Sequence, residues 1–457
     1  MPLIVQSSKS YQRLLLIKYL CTIAFLILVS YVFFETIKQV KKPFIDEIFH
    51  LRQCQTYCAH KFSHWDNKIT TPPGLYILGF IYSSFLSFIS HGQLTCLNYN
   101  VLRSLNLFGG LIVMPIALTY FKKSNINQFW NVNIISQPLL FTYYFLFYTD
   151  IWSTIFIILS LCLVNNRVNQ RPVLSSIFGF MSLWMRQTNI VWVAFIAAVS
   201  IDRKIVRHSS SIGRIGQFVS TSLKNWTSLI GYIVNFILFG LFLKVNGGIT
   251  FGDKENHQVQ LHLVQVFYCF TFINIFTWPV WLNKSTIRNY VNFLSGNWGL
   301  NALFNGLSFI GIKYVIDNFT IVHPFLLADN RHYTFYIFKK LLNHKYSSIA
   351  AVPIYHFATY NIISCLSRAK KLNLSPITIL AYIVAIVLTI VPSPLFEPRY
   401  YIIPLIIFRL YIAPSYAFAN VFEFLWLNLI NVITSYIFFN YQFTWLSEPG
   451  SIQRIIW

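Results

Sequence analysis

Long apolar runs recur along almost the whole chain and are separated by short polar tracts. Each run is roughly 17–25 residues long, the length that an α-helix needs to cross a bilayer. The two-residue alternation of membrane barrel strands is not seen in the sequence. In lipid, every backbone polar group must be satisfied within the protein, which leaves helices. The pattern therefore predicts an all-α polytopic membrane protein.

The apolar runs predict about 13 transmembrane helices. The first is LLLIKYLCTIAFLILVSYVFF, and residues 74–90 are expected to form a membrane-embedded hairpin or a helix at the interface. The remaining spans are expected near 101–120, 129–149, 151–165, 173–185, 188–201, 226–245, 260–282, 299–320, 347–366, 376–392, 400–413 and 418–440.

Basic residues set the expected orientation. Lys9, Arg13 and Lys18 surround the start of the first run, which is typical of a signal anchor with a cytosolic N-terminus. The following loop, 35–73, then lies on the non-cytosolic side. The basic tracts expected in the cytosol are Lys122–Lys123, Arg167–Arg171, Arg203–Lys224, Lys284–Arg288 and Arg368–Lys371.

Composition agrees with a membrane protein. The chain is 56% hydrophobic and 11% charged, with a mean hydropathy of +0.56. Its formal charge of +22 could suggest nucleic acid, but the cations lie in short tracts between apolar runs. Such tracts orient a membrane protein and contact anionic headgroups of membrane lipids. We therefore expect no nucleic-acid partner.

Acidic residues are scarce, with 13 Asp and Glu against 35 Lys and Arg. Two of them, Asp46 and Glu47, are adjacent in PFIDEIFH. Charged residues beside apolar helices cost a few kcal/mol and normally face protein or a wet cavity. The polar residues that topology does not explain fall in five segments, which we expect to converge on one cavity: residues 43–76, Asp150 in FLFYTDIW, WMRQTNIVW, residues 323–336 and residues 395–404.

Each polar segment has a plainer alternative. Arg186 could reach headgroups, Glu397 and Arg399 could be a structural ion pair, and Asp66 could cap a helix or hold a loop. The remaining histidines, His60, His64 and His91, are expected at the interface.

The seven cysteines show no CxxC pair and no zinc-ligand spacing. Cys54 and Cys58 are four residues apart and could meet on one helix face. We interpret them as apolar thiols rather than as a disulfide.

A cavity with a few carboxylates, several cations and many aromatic rings suits glycosyl transfer from a lipid phosphate sugar. A carboxylate can take the proton of an acceptor hydroxyl, and Arg or Lys can stabilise the departing phosphate. Aromatic faces pack against sugars and isoprenoid chains. A monophosphate carries less charge than a diphosphate, and no second carboxylate pair is present. We therefore expect neither a metal ion nor another cofactor.

Six motifs resemble the dolichyl-phosphate-glucose-dependent α-1,2-glucosyltransferases of the endoplasmic reticulum. They run in order from the first loop to near the C-terminus: DEIFH at 46–50, WDNKITTPPGLY at 65–76, RQTNIVW at 186–192, NGG at 246–248, LLADNRHYTFY at 326–336 and EPRYYIIP at 397–404. LADNRHYTFY is the most specific of them.

The resemblance implies a GT-C-type fold in one polytopic domain, 1–457, in the endoplasmic reticulum membrane. Its first lumenal loop would be 35–73, its basic cytosolic loop 202–225, and a second lumenal loop 321–346. It also implies a dolichyl phosphate glucose donor and a diglucosylated oligomannose dolichyl-diphosphate acceptor, with the active site on the lumenal side. The oligomeric state is left open.

The resemblance also implies roles for individual residues. Asp46 is expected to be the general base and Glu47 to orient the acceptor, although the sequence does not distinguish the two. For the donor phosphate we expect Arg331, Arg399, Lys68 and Arg186. The sugar and acceptor residues are expected to be His50, Asp66, Asp150, Gln187, His323, Asp329, Asn330, His332, Tyr333, Glu397 and Tyr400.

Other interpretations remain at this point. A protein O-mannosyltransferase also carries an acidic pair in its first lumenal loop, but has an additional large lumenal domain that this sequence lacks. A transporter usually shows repeated halves and polar residues at mid-depth. A channel regulator or noncatalytic subunit would not need the carboxylate and cation cluster.

Overall fold

The computed structural model describes residues 8–121, 129–166, 168–205, 211–255, 258–369, 374–416 and 418–457. Helices dominate these residues, with one two-stranded sheet near the C-terminus. The expected cytosolic cations Lys122–Lys123 lie outside the described residues, as do Arg167 and Lys370–Lys371.

The described part of the first third of the chain contains eight α-helices. A π-helix at Gly109–Val113 joins α4 to α5. The helices are α1 (Ser8–Gln39), α2 (Glu47–Cys58), α3 (Gly74–Ile89), α4 (Tyr99–Phe108), α5 (Met114–Phe121), α6 (Asn131–Ile135), α7 (Pro138–Thr142) and α8 (Asp150–Val164).

The middle third continues with α9 (Pro172–Met185), α10 (Ile190–Asp202), α11 (Ser211–Lys224), α12 (Ile230–Asn246), α13 (Gln265–Trp281), α14 (Lys284–Ser295) and α15 (Trp298–Asn318). Short 3-10 turns precede α10 and α12, at Gln187–Asn189 and Trp226–Leu229.

The last third contains α16 (Pro324–Ala328), α17 (Tyr333–Ile337), α18 (Ser347–Arg368), α19 (Pro376–Ile390), α20 (Ile402–Tyr411) and α21 (Ala419–Asn440), followed by β1 (Phe443–Thr444) and β2 (Ile452–Gln453). A π-helix follows α17 at Phe338–Leu342, and a 3-10 turn precedes α20 at Pro398–Tyr401.

Helices that can cross a membrane occur along the whole chain, which confirms the polytopic helical prediction. Among the described residues, six are long and apolar enough by themselves: Gln12–Gln39, Tyr99–Phe121, Trp226–Asn246, Gly299–Asn318, Ser347–Arg368 and Ala419–Asn440. Five shorter apolar helices accompany them: Gly74–Ile89, Asp150–Val164, Pro172–Met185, Gln187–Asp202 and Pro376–Ile390. The number of about 13 spans stays a prediction.

The single span expected at 129–149 is wrong. Pro138 biases the residue before it away from helix, and Gln137 has an extended ψ of 124°. After α7 the backbone is buried and largely irregular. Asn106 Nδ2 donates to the carbonyls of Leu146 and Tyr148 at 2.7 and 2.8 Å. Irregular backbone is tolerated among membrane helices where protein groups satisfy it in this way.

A disulfide joins Cys58, at the end of α2, to Cys96, and the expected free thiol at Cys58 is therefore wrong. The partner lies 38 residues away in sequence, so spacing gave no signal. Cys54 remains a buried thiol, as expected. These three sulfurs are the one group of potential metal ligands found among the described residues, and the disulfide occupies two of them.

Candidate active site

The adjacent acids Asp46 and Glu47 follow a strained turn. Ile45 has a φ of 52°, a left-handed conformation that is unfavourable for a β-branched residue. Such strain costs about 1–3 kcal/mol and clusters at functional sites. Helix α2 begins directly afterwards, at Glu47. The turn directs the two neighbouring carboxylates into different surroundings.

Glu47 is completely buried and paired. Its Oε2 lies 2.6 Å from Arg103 Nη2, and its Oε1 lies 2.8 Å from Arg103 Nε. The backbone N–H groups of Phe44 and Phe147 also donate to the two oxygens, at 3.1 and 3.0 Å. Arg103 Nη1 in turn donates to Val40 O at 2.7 Å. Glu47 therefore ties the turn before α2 to α4 and to the irregular segment after α7.

Asp46 is half-exposed and faces a cavity instead. It precedes α2, but its side chain makes no capping hydrogen bond. Its Oδ2 lies 3.2 Å from Arg399 Nη1. The Asp46 backbone N–H donates to Tyr148 Oη at 3.1 Å, which fixes the main chain and leaves the carboxylate available.

Arg399 bridges Asp46 to Glu397, whose Oε2 accepts from Arg399 Nε. Burial opposes ionisation of Glu397, but the charge and hydrogen bond of Arg399 outweigh it and lower the pKa of Glu397 to about 2. The two carboxylates in turn keep the pKa of Arg399 well above its ordinary value despite burial. Glu397 and Arg399 are therefore both ionised at neutral pH.

The cavity has two chambers that meet at this triad. The first, here called the cationic chamber, has a volume of about 510 Å³ and contains Lys68, Arg186 and Arg399 in its lining. The second, here called the tail chamber, has a volume of about 340 Å³ and includes the C-terminal residues Ile456 and Trp457. The residues that line both are Asp46, Phe325, Leu395, Glu397 and Arg399.

The cations of the cationic chamber are arranged over aromatic rings. Arg186 lies at the end of α9, with its guanidinium carbon 5.6 Å from the centre of the Tyr400 ring. Its Nη2 also lies 2.8 Å from Asp150 Oδ1, where α8 begins. Lys68 Nζ lies 5.5 Å from the centre of the Phe49 ring. Lys68 and Arg186, which are distant in sequence, thus both line the cationic chamber.

Two loops form one wall of the cationic chamber. Phe251 N–H donates to Thr70 O at 3.2 Å, and Asp253 N–H donates to Asn67 O at 2.9 Å. A Cβ on Gly252 would lie 2.0 Å from Asn67 O, so this close approach requires glycine. The contact brings the segment after the NGG motif against WDNKITTPP.

His50 lines the same chamber from α2 and is buried. Its Nδ1 lies 2.8 Å from Tyr76 Oη. Burial lowers the pKa of His50 to about 4, although Asp46 acts in the opposite direction. His50 is therefore a neutral hydrogen-bonding group at pH 7.

An apolar groove adjoins the cationic chamber, and Gln187 lines both. Gln187 Nε2 donates to Thr70 O at 2.8 Å. The groove, here called the aromatic groove, has a volume of about 330 Å³ and lies against α9 and α12. Its lining includes Pro72, Pro73, Phe180, Trp184, Phe242 and Phe251.

The tail chamber is lined by the motif at 326–336. Asp329 accepts from Arg331 at both oxygens, with Nε 2.9 Å from Oδ1 and Nη2 2.7 Å from Oδ2. His332 Nε2 lies 3.7 Å from Asp329 Oδ2. Burial raises the pKa of Asp329, but the hydrogen bonds and charges of Arg331 and His332 give a net lowering. Arg331 is thus already paired with a carboxylate in the lining of the tail chamber.

The structure brings most of the expected site residues to the two chambers. Asp46, His50, Lys68, Arg186, Gln187, Asp329, Arg331, His332, Glu397, Arg399 and Tyr400 line one or both. Asp150 contacts the site through Arg186.

Besides Asp150, five expected site residues lie outside the chamber lining. Glu47 is sealed against Arg103, and Asp66 Oδ1 accepts from Lys68 N–H at 3.0 Å, which is the loop role given above as its alternative. The other three are His323 and Asn330, which lie in loops, and Tyr333, which begins α17; the tail chamber is not lined by them.

Sequence reasoning missed Arg103 and the C-terminal residues. Arg103 lies inside an expected span, and an arginine in an apolar helix is itself a signal of a buried partner. Ile456 and Trp457 follow the last apolar run, and hydrophobic periodicity carries no information about such a tail.

A polytopic helical protein with a cavity of paired carboxylates and cations beside an aromatic groove fits the class of membrane-embedded glycosyltransferases. Residues 40–410 match the DIE2/ALG10 family. The chain belongs to the DIE2/ALG10 family.

Named relatives match over nearly full length. The Dol-P-Glc:Glc(2)Man(9)GlcNAc(2)-PP-Dol alpha-1,2-glucosyltransferase of Candida albicans is 55% identical over 97% of this chain and 100% of its own. The protein of the same name from Debaryomyces hansenii is 52% identical over 95% of this chain and 98% of its own. The human protein of that name is 33% identical over 94% of this chain and 96% of its own. No solved structure matches the chain.

Proposed function

We propose that this protein transfers glucose from dolichyl phosphate glucose to the diglucosylated oligomannose dolichyl-diphosphate oligosaccharide, with inversion. The product carries the terminal α-1,2-linked glucose of the N-glycan precursor. The observation that carries this proposal is the full-length similarity to glucosyltransferases of that name in yeasts and mammals. The cavity supplies chemistry that suits the reaction.

Asp46 acts as the general base. The 2-hydroxyl of the acceptor glucose attacks C1 of the donor glucose, and its proton passes to the Asp46 carboxylate. The new O2–C1 bond forms as the C1–O bond to phosphate breaks, which converts the β-linked donor into an α-linked product. Asp46 is half-exposed and lines both chambers, so it can meet one substrate from each side.

The cationic chamber binds the donor. Arg399, Arg186 and Lys68 line it, and their charges stabilise the dolichyl phosphate that leaves. The aromatic groove next to it accepts the first isoprene units of the dolichyl chain, since Gln187 joins the two spaces. We do not assign Arg331 to the phosphate, because it lines the tail chamber and not the cationic chamber.

The tail chamber binds the acceptor sugars. It offers Asp329, His332 and Glu397 as hydrogen-bonding groups and Tyr143 and Trp457 as aromatic faces, which together suit a sugar ring. Glu47 orients this arrangement indirectly, by holding the turn that presents Asp46.

The leaving group is a monophosphate, and three cationic side chains line the chamber proposed for it. We infer that the reaction needs no divalent metal. Transfer is expected to be equal in the presence of a chelator and of added Mg²⁺ or Mn²⁺; a fall with the chelator that Mg²⁺ or Mn²⁺ restores would reject this inference.

The cavity faces the lumen of the endoplasmic reticulum. Supporting this, Cys58 is disulfide-bonded at the end of the helix that starts beside Asp46, and disulfides persist in oxidising compartments such as that lumen. The test uses Lys61→Asn, which creates an Asn-Phe-Ser acceptor site for N-glycosylation in the same loop. Phe218→Asn creates Asn-Val-Ser in the expected cytosolic loop and is the control. Glycosylation at residue 218 but not at residue 61 would show that the cavity faces the cytosol and not the lumen.

The activity test uses purified protein, labelled dolichyl phosphate glucose and acceptors that carry zero, one or two glucoses. We expect transfer to the diglucosylated acceptor alone. Transfer to the other acceptors at the same rate, or no transfer to any of them, would reject the proposed function.

A further inference from the structure

The residues after the last helix fold back onto the site. Strands β1 and β2 pair antiparallel, with Phe443 opposite Gln453 and Thr444 opposite Ile452. Beyond β2 the chain continues to Ile456 and Trp457, which line the tail chamber. We call residues 443–457 the C-terminal hairpin.

The hairpin is bound to the loop at 329–333 through its backbone. Ile456 N–H donates to Arg331 O at 2.7 Å, and Tyr333 N–H donates to Ile456 O at 2.9 Å. The result is a short parallel bridge between His332 and Ile456. The loop and the first residue of α17 thereby each gain a backbone partner.

Side chains of the hairpin hold the same loop. Trp445 Nε1 donates to Asn330 Oδ1 at 2.8 Å, and the Arg331 guanidinium carbon lies 4.5 Å from the centre of the Trp445 ring. Gln453 Oε1 accepts from Arg331 Nη1 at 3.4 Å. Since Arg331 in turn holds both oxygens of Asp329, Trp445 and Gln453 fix the position of a carboxylate that lines the tail chamber.

A buried arginine anchors the hairpin to the helical bundle. Arg454 is 3% exposed, and its Nη1 donates to Phe438 O at 2.8 Å near the end of α21. Its Nη2 donates to Gln39 O at 3.4 Å at the end of α1. The hairpin is therefore docked to two helices and to the loop at once.

Trp457 places an aromatic face at the chamber. Its ring centre lies 4.7 Å from that of Tyr333, and its carbonyl accepts from Tyr143 Oη at 3.5 Å. Its indole Nε1 is buried and has no hydrogen-bond partner among the described residues. An unpaired indole donor beside a polar chamber can donate to a sugar hydroxyl.

We infer that the C-terminal hairpin is part of the acceptor site. Trp457 contacts the acceptor sugars, whereas Trp445 is a positioning residue that acts through Asn330 and Arg331 on Asp329. The inference rests on the proposed function for the identity of the acceptor. It implies that changes in the hairpin weaken binding of the acceptor and leave binding of the donor unchanged.

The test measures the dissociation constant of the diglucosylated acceptor lipid in the absence of donor, so that turnover is not required. Trp445→Ala is expected to raise this dissociation constant about 10-fold, because the ring and the hydrogen bond are both lost. Trp445→Phe keeps a ring for Arg331 and is expected to raise it about 3-fold. Trp457→Phe keeps the packing, loses the indole N–H and is expected to have a similar effect.

Leu446→Ala is the matched control, since Leu446 is fully exposed on the same hairpin. The constant for dolichyl phosphate glucose should stay within twofold in all four variants. Unchanged acceptor binding in the Trp445 and Trp457 variants would overturn the inference, as would an equal loss of donor binding. If wild-type protein binds the acceptor but transfers no glucose, the proposed function fails and the hairpin inference is still decided by the binding data.

Discussion

Glu47 and Arg103 form a fully buried ion pair in which Glu47 Oε2 lies 2.6 Å from Arg103 Nη2. The neighbouring acid, Asp46, faces the cavity and pairs with Arg399 instead. Two acids that are adjacent in sequence therefore have separate tasks. One holds the framework of the site, and the other is available for chemistry.

Glu47→Gln should mainly reduce stability. Removing one partner of a buried ion pair leaves an uncompensated charge and costs about 3–5 kcal/mol. We expect a clear fall in the thermal midpoint of the purified protein in detergent. Glu255→Gln, at an exposed position, is the control. A midpoint for Glu47→Gln equal to that of the control would contradict the framework role.

Asp46→Asn should mainly reduce turnover. Loss of a general base lowers kcat by roughly 10²–10⁴-fold, while the thermal midpoint stays near that of wild type because Asp46 is half-exposed. The measurement is single-turnover transfer at saturating donor and acceptor. Near-normal turnover by Asp46→Asn would remove this residue from catalysis.

Lys68→Met should weaken binding of the donor. Lys68 is exposed and lines the cationic chamber, so its loss removes one charge from the phosphate site without a folding cost. A charge-assisted contact is worth about 1.5–3 kcal/mol, which corresponds to about a 10- to 100-fold rise in KM for dolichyl phosphate glucose. Lys61→Met, in the same loop but outside both chambers, should leave KM unchanged. Equal values for the two variants would exclude Lys68 from the donor site.

His50 should make the protein sensitive to acid. Burial lowers its pKa from 6.5 to about 4 in the folded protein. Its contribution to stability is therefore present above about pH 6.5 and is lost as the pH falls from 6.5 toward 4. Over that window, wild type should lose up to about 3 kcal/mol more than His50→Gln.

The measurement for His50 is the thermal midpoint at several pH values between 4 and 7. His64→Gln, at an exposed position, should follow wild type. If His50→Gln and wild type lose stability in parallel, the burial of His50 does not govern this acid sensitivity.

Breaking the disulfide should destabilise the part of the chain that carries Asp46. Cross-links of this kind contribute about 2–4 kcal/mol, and the bond between Cys58 and Cys96 closes a loop with a sequence separation of 38. Cys96→Ser should lower the thermal midpoint, whereas Cys365→Ser, at a free cysteine, should not. Mass spectrometry without reduction that found Cys58 and Cys96 as thiols would contradict the linkage directly.

Many of the site residues could be predicted from the sequence, because charged residues are unusual within or beside apolar helices. Asp46, Lys68, Arg186 and Arg399 were expected together, and they line one chamber. The sequence could not show in which direction the two neighbouring acidic side chains point. The turn at Ile45 orients the side chains of Asp46 and Glu47 in different directions, and neither hydrophobic periodicity nor residue type predicts that turn.

Contacts between residues distant in the chain were the second feature that the sequence did not predict. The role of Arg331 at the donor phosphate stays a prediction; in the structure its guanidinium contacts Asp329 and Trp445. The segment 129–149 looked like a span because it is apolar, yet Pro138 and the Asn106 amide make an irregular backbone possible there. The contact of Arg331 with Trp445 and those of Asn106 with Leu146 and Tyr148 join residues that are distant in the chain, which local patterns do not reveal.

The position of the C-terminal hairpin has a consequence for biosynthesis. Residues 443–457 are translated after every helix that the structure describes, and Ile456 and Trp457 form part of a cavity wall. The pocket is therefore finished only after the last of these helices has been translated. A premature stop codon just beyond Asn440 would keep every helix that the structure describes but remove Ile456 and Trp457 from the cavity wall.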